Sequence, residues 1–212
     1  MSPKTDNSSP KIKLDLRRRL LALLSEPARV FETHCGAGTM TPAYQGADRW
    51  LGGDVSKKYP QVVQVDCRRL LRALDLNDFN FFDVDAYGNP FECVWLVSQR
   101  RTARTPLVFA LTCGAFAGVH KVSITLGAAG FSRQMLDVIR APDPASLFAG
   151  VWKDSHALLF FRACFLVWFP SFDLNSLEII PGYKPGRKED LTCWYIGALL
   201  RPKATQEGKA TE

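Results

Sequence analysis

The sequence has no C-x-x-C pair, no G-x-G-x-x-G fingerprint and no apolar run long enough to cross a bilayer. Each absence removes a class. Its six cysteines (Cys35, Cys67, Cys93, Cys113, Cys164 and Cys193) are scattered, and no secretory leader is expected before them, so neither a disulfide framework nor a zinc ribbon is expected. A reducing cytoplasm is the expected compartment, and no metal site is expected. The longest apolar stretch, His156 to Phe169, contains Arg162 and is shorter than the ~20 residues of a spanning helix. It reads as a buried helix of the core, and no membrane partner is expected. Histidine is scarce, with three in the chain; His120 and His156 stand in no partner pattern, and a satisfied structural role is the default for both.

What is present fits one compact domain. Of 212 residues, 47% are hydrophobic and 23% charged, enough to bury a sizeable core. Residues 1–12 and 203–212 are polar and lack apolar periodicity, and are expected to be flexible tails around a body at 13–202. The net charge of +6 permits a polyanionic partner, with basic clusters at Arg17 to Arg19, Arg100 to Arg104 and Lys184 to Lys188. Taken singly, each cluster is better explained by a solvated face.

The periodicity is that of alternating strands and helices. Leucines at helical spacing predict a lead helix over LDLRRRLLALLSE, ended by Pro27. Strands are predicted at ARVFE, DRWLGGD, QVVQVD, DFNFFDVD and PLVFALT, and a helix at DSHALLFFRACFLVWF. SLEIIPGY and LTCWYIGALLR predict a closing hairpin joined by a loop holding KPGRKED. This is an α/β, doubly wound, mostly parallel sheet with a C-terminal antiparallel hairpin.

In such a sheet, ligands sit beyond the carboxyl ends of the strands. Those ends carry Glu32 with the turn glycines Gly36 and Gly38, then Asp54, Asp66, and Asp83 with Asp85. A helix is expected from about Thr41. Each acid alone is explained by a helix cap or a solvated loop; an ordered set beside a glycine turn points to one rim around one cleft. Position 41 is threonine where a dinucleotide turn needs its third glycine. An acid-rich rim without a phosphate cradle suits S-adenosylmethionine, which has no phosphate and carries a positive sulfonium.

The stretch E-T-H-C-G-A-G, Glu32 to Gly38, resembles the glycine motif of the class I S-adenosylmethionine-dependent methyltransferases, with His34 at a position often occupied by glycine. The resemblance spans about Arg29 to Gly114 and the closing hairpin. It implies their seven-stranded Rossmann-like fold and S-adenosylmethionine as cofactor. Asp54 then matches the ribose-binding acid and Asp66 with Cys67 the adenine-contacting position, while Glu32, His34, Gly36, Gly38 and Asp83 join them in the cofactor site. FFDVDAYGNP, Phe81 to Pro90, is similar to the catalytic D-x-D-P-[FY]-G-[ST]-P segment of the tRNA guanine-N2 dimethyltransferase family, with Ala86 for the usual proline and Asn89 for serine or threonine.

The chemistry of that segment is direct. An exocyclic base amine is a poor nucleophile because its lone pair is delocalised, so its N–H hydrogens must be accepted and its nitrogen aligned. Asp85 is the candidate acceptor and Tyr87 the candidate stacking platform. Asn89 is expected to cap the next helix, with Pro90 as its first residue. The resemblance thus implies methyl transfer to an amino nitrogen, with RNA or DNA as partner. Methylation of a small molecule or protein, and a non-catalytic binding module of the same fold, remain open at this level.

Overall fold

A computed structural model describes residues 10–86, 90–102, 105–114, 154–184 and 187–204. Helix α1 (Pro10–Leu21) precedes strand β1 (Arg29–Thr33) and β2 (Arg49–Asp54). They are followed by β3 (Val63–Gln64), α2 (Cys67–Ala73), β4 (Phe81–Val84), α3 (Phe91–Arg100) and β5 (Leu107–Gly114). Helix α4 (Asp154–Trp168) and the strands β6 (Phe172–Lys184) and β7 (Arg187–Pro202) complete the described fold. The strands form one seven-stranded sheet in the order β3-β2-β1-β4-β5-β7-β6. Strands β1 to β5 run parallel to one another, and β7 is antiparallel to both β5 and β6. The doubly wound sheet with an antiparallel C-terminal hairpin is therefore as the sequence predicts.

Two cores cover the two faces. Phe31, Phe82, Val84 and Phe109 pack under α2, α3 and α4 with Phe161, Phe165 and Trp168. On the opposite face Val30, Phe81, Val108 and Tyr195 meet Leu16 and Leu20 of α1 and Tyr44. A Cβ on Gly197 would lie 2.9 Å from Leu20 and 3.0 Å from Leu16, so this glycine in β7 is what lets α1 seat closely on the sheet.

Several boundaries differ from the expectation. Helix α1 begins at Pro10 and ends at Leu21, so residues 10–12 belong to the folded body and Pro27 lies in the connection to β1. The helix expected after the glycine turn is a single 3-10 turn at Thr41–Tyr44. Strand β3 has two residues, which leaves Asp66 beyond its end, as the cap of α2. Helix α3 starts at Phe91, with Pro90 in the capping position and no side-chain cap bond; Asn89 lies outside the described residues. The hairpin pairs as far as Lys184 with Arg187, so most of the expected KPGRKED loop is strand.

Candidate functional site

The order of strands reverses between β1 and β4, because β1 pairs with β2 on one side and β4 on the other. In register, Glu32 lies opposite Gly52 of β2 and Asp83 of β4. The crevice at this switch point is where an open α/β sheet binds its ligand.

The turn after β1 is held by side chains of Asp54 and Cys67. His34 and the glycines Gly36 and Gly38 have φ of +56°, +51° and +75°, left-handed positions alternating along the turn, in which glycine is unstrained and histidine is not. Asp54 at the end of β2 accepts the backbone N–H of Gly36 at 2.9 Å and that of Ser56 at 2.7 Å. The Cys67 thiol accepts the His34 backbone N–H at 3.3 Å and donates to the Gly53 carbonyl at 3.2 Å. Burial pushes that thiol up to about 11, so it remains a protonated donor. Burial also lowers the His34 imidazole against the pull of nearby acids. Its Nδ1 lies 2.9 Å from Thr33 Oγ1. Asp66 caps α2 through the Arg68 N–H at 2.9 Å and pairs with the Arg68 guanidinium, whose hydrogen bonds hold its carboxyl down at about 2.

Glu32 is buried near the end of β1, between β2 and β4 at the switch point. Its Oε2 accepts Trp50 Nε1–H at 2.8 Å, while Oε1 is buried and has no hydrogen-bond partner. Burial, reinforced by the Asp83 carboxylate, raises this carboxyl to about 8. An unpartnered buried oxygen at this position costs free energy and is available to a ligand that brings a donor. The Trp50 indole folds over Gly52, where a Cβ would lie 2.6 Å from its ring.

The two aspartates of the Phe81 to Pro90 segment are paired from α1. Asp83 is fully buried and takes two hydrogen bonds from Arg17, Nε to Oδ2 and Nη2 to Oδ1, both 2.6 Å. The Tyr44 hydroxyl also donates to its Oδ2. Asp83 thus stands beneath the crevice, with no open surface for a ligand. Asp85 is 18% exposed, and both its oxygens accept from Lys13 Nζ, at 2.8 and 2.9 Å. Burial pushes the Asp85 carboxyl up, but the Arg17 and Lys13 cations outweigh it and hold it below the ordinary value. Tyr87 lies outside the described residues.

The structure therefore gathers Glu32, His34, Gly36, Gly38, Asp54 and Cys67 around one turn, and sets Asp85 at the end of the adjacent strand. Lys13, Arg17, Tyr44 and Trp50 were not anticipated as parts of the site. The first two carried a signal, since Lys13, Leu16, Arg17 and Leu20 follow helical spacing and form the buried stripe of α1. Trp50 and Tyr44 carried none. Among the described residues, several arginines of the basic clusters have partners within the fold. Arg17 is buried, Arg18 pairs with Asp15 and Arg19 with Glu178. Arg100 bonds the Leu71 carbonyl and Arg101 the Asn77 side chain.

Among the described residues no helix is long and apolar enough to cross a membrane, and no group of three His, Cys, Asp or Glu side chains is placed to hold a metal ion. No family model matches the sequence, and no curated protein does. Solved structures do. Trm1 from Pyrococcus horikoshii, in complex with S-adenosyl-L-methionine, aligns over 95% of this chain with a TM-score of 0.52 at 14% identity, and this chain spans 59% of that one. A putative methyltransferase, yhhF from Escherichia coli, aligns over 95% of this chain and 92% of its own, with a TM-score of 0.49 at 12% identity. A SAM-dependent methyltransferase from Archaeoglobus fulgidus aligns over 90% and 94%, with a TM-score of 0.48 at 11% identity.

Proposed function

From the class I S-adenosylmethionine-dependent methyltransferase fold that this chain carries, we propose that it is a methyltransferase that transfers a methyl group to an amino nitrogen, with a nucleic-acid base as acceptor. One observation carries the cofactor class: the buried, unpartnered Glu32 oxygen beside a left-handed glycine turn at the sheet's switch point. S-adenosylmethionine supplies an electrophilic methyl carbon on a sulfonium, and its own ammonium and ribose hydroxyls are donors of the kind this site lacks. The residues fit it. Glu32 can accept an ammonium N–H at Oε1. Asp54 keeps lone pairs free beyond the N–H bonds it accepts from Gly36 of the turn and from Ser56, and these can accept ribose hydroxyls. A Cβ at Gly36 would sit 3.8 Å from the Tyr59 ring, so the turn is closely walled on that side. Asp83 supports the site from below through its ion pair with Arg17.

The acceptor side rests on Asp85. It accepts N–H hydrogens of the target amine, keeps the nitrogen lone pair free and holds it in line. When bound, S-adenosylmethionine would supply its methyl carbon to that nitrogen, with the S–C electron pair staying on sulfur and the displaced N–H proton passing to water. The likeness of the Phe81 to Pro90 segment to the tRNA guanine-N2 enzymes supports a base amine, and tRNA guanine N2 is the atom that likeness points to. The basic clusters add less support than their count implies, since several of their arginines are paired within the fold.

The test is calorimetric titration with S-adenosylmethionine, followed by transfer of labelled methyl to in-vitro transcribed tRNA. Binding of the cofactor and labelling of the RNA are expected, with turnover falling steeply as salt is added. Asp85→Asn should lower kcat by on the order of 100-fold and leave cofactor affinity within about twofold. Absence of cofactor binding would refute the reading.

A further inference from the structure

Helix α1 does more than cover the sheet. Its buried stripe alternates two leucines with two cations, Lys13 and Arg17, and each cation takes one aspartate at the end of β4. Lys13 is held at three points. Its ammonium spans both Asp85 oxygens at 2.8 and 2.9 Å, lies 5.7 Å from the Tyr195 ring centre, and its backbone carbonyl accepts Arg17 Nη1–H at 3.1 Å. With its side chain 5% exposed, it is fixed within the fold and cannot be counted as a solvated lysine. Arg17 neutralises Asp83 in the same way, so the end of β4 carries two carboxylates and two cations and no net charge.

We propose that Lys13 is a positioning and specificity-determining residue, which fills the cation-binding side of Asp85 and leaves it able to accept N–H bonds only from an uncharged amine. This rests on the role given to Asp85 above. An alkylammonium, such as a protein lysine, must find an uncompensated carboxylate to be bound and deprotonated; here a cation is already in place, and a second would meet like charge in a partly desolvated site. A nucleobase amine is neutral and asks only for acceptors. Asp85 has them, because a carboxylate offers about four lone-pair directions and Lys13 uses two. The ammonium also fixes the rotamer of Asp85, so that the acceptor nitrogen is aligned before the reaction and not during it.

The experiment compares wild type, Lys13→Met and Lys13→Arg on two acceptors, in-vitro transcribed tRNA and a lysine-rich peptide, with methyl-labelled S-adenosylmethionine. Circular dichroism first establishes that each variant is folded. The wild type is expected to label the RNA and not the peptide. Lys13→Met should lower kcat on RNA at least tenfold with cofactor Kd unchanged, and move the acid limb of the pH–rate profile upward as Asp85 loses a stabilising cation. Lys13→Arg should recover most of the rate, and ethylammonium added to a Lys13→Ala variant should recover part of it. Labelling of the peptide by wild type, or a folded Lys13→Met variant with unchanged kcat and acid limb, would overturn the proposal. A wild type that binds the cofactor but labels neither acceptor would instead refute the role of Asp85, and the proposal with it.

Discussion

Replacing Glu32 by glutamine should stabilise the free protein and weaken its hold on the cofactor, and the two effects should separate by pH. The Glu32 carboxyl has its ordinary value of 4.5 in an unfolded chain and is raised to about 8 in the fold. Between those values the folded state holds a proton that the unfolded state has released, so stability falls as pH rises through the interval. Each pH unit is worth about 1.4 kcal/mol, which gives roughly 3 kcal/mol of destabilisation at pH 7 relative to pH 4.5. Glutamine keeps an acceptor for Trp50 Nε1–H and does not ionise. The Glu32→Gln variant should therefore melt near the wild type at pH 4.5 and about 6–12 °C above it at pH 7, taking 2–4 °C per kcal/mol for a chain of this size. Scanning calorimetry across pH 4.5 to 8 reads this directly. The same variant should gain less from S-adenosylmethionine than the wild type does, since the amide, unlike the carboxyl, cannot ionise to balance a ligand's positive charge. A melting difference that is constant across pH, or a variant less stable at pH 8, would refute the account of Glu32 as a strained neutral carboxyl.

Arg17→Met should be among the most damaging single changes, because it leaves Asp83 buried without its cation; breaking such a pair costs about 3–5 kcal/mol, and thermal melts should show Arg17→Met/Asp83→Leu recovering much of the loss. Asp66→Ala should cost about 1 kcal/mol by removing the cap of α2. Since the folded carboxyl sits at about 2 against 3.8 unfolded, the wild type keeps its advantage above pH 3.8 and loses it as pH falls through 2, a window that acid titration followed by circular dichroism covers.

The architecture was legible in the sequence because it is written in period and spacing. Five short apolar segments separated by helical or loop stretches dictated a parallel sheet, and the closing pair dictated a hairpin. The glycine turn and the acids at strand ends were equally visible, since left-handed backbone and strand-end carboxylates have few substitutes. Asp66 shows the limit: its spacing suggested the end of a longer strand, but β3 stops after two residues and the carboxylate caps α2. What only the tertiary structure decided is which charges meet. Arg17 reads as part of a basic run with Arg18 and Arg19, yet it alone of the three faces the sheet, on the stripe of α1 that Lys13, Leu16 and Leu20 share. Lys13 and Asp85 are 72 residues apart in sequence, and no local propensity encodes a contact made when a helix docks on the end of a strand it neither precedes nor follows. Local pattern determined where the site lies; the docking of α1 determined its charge.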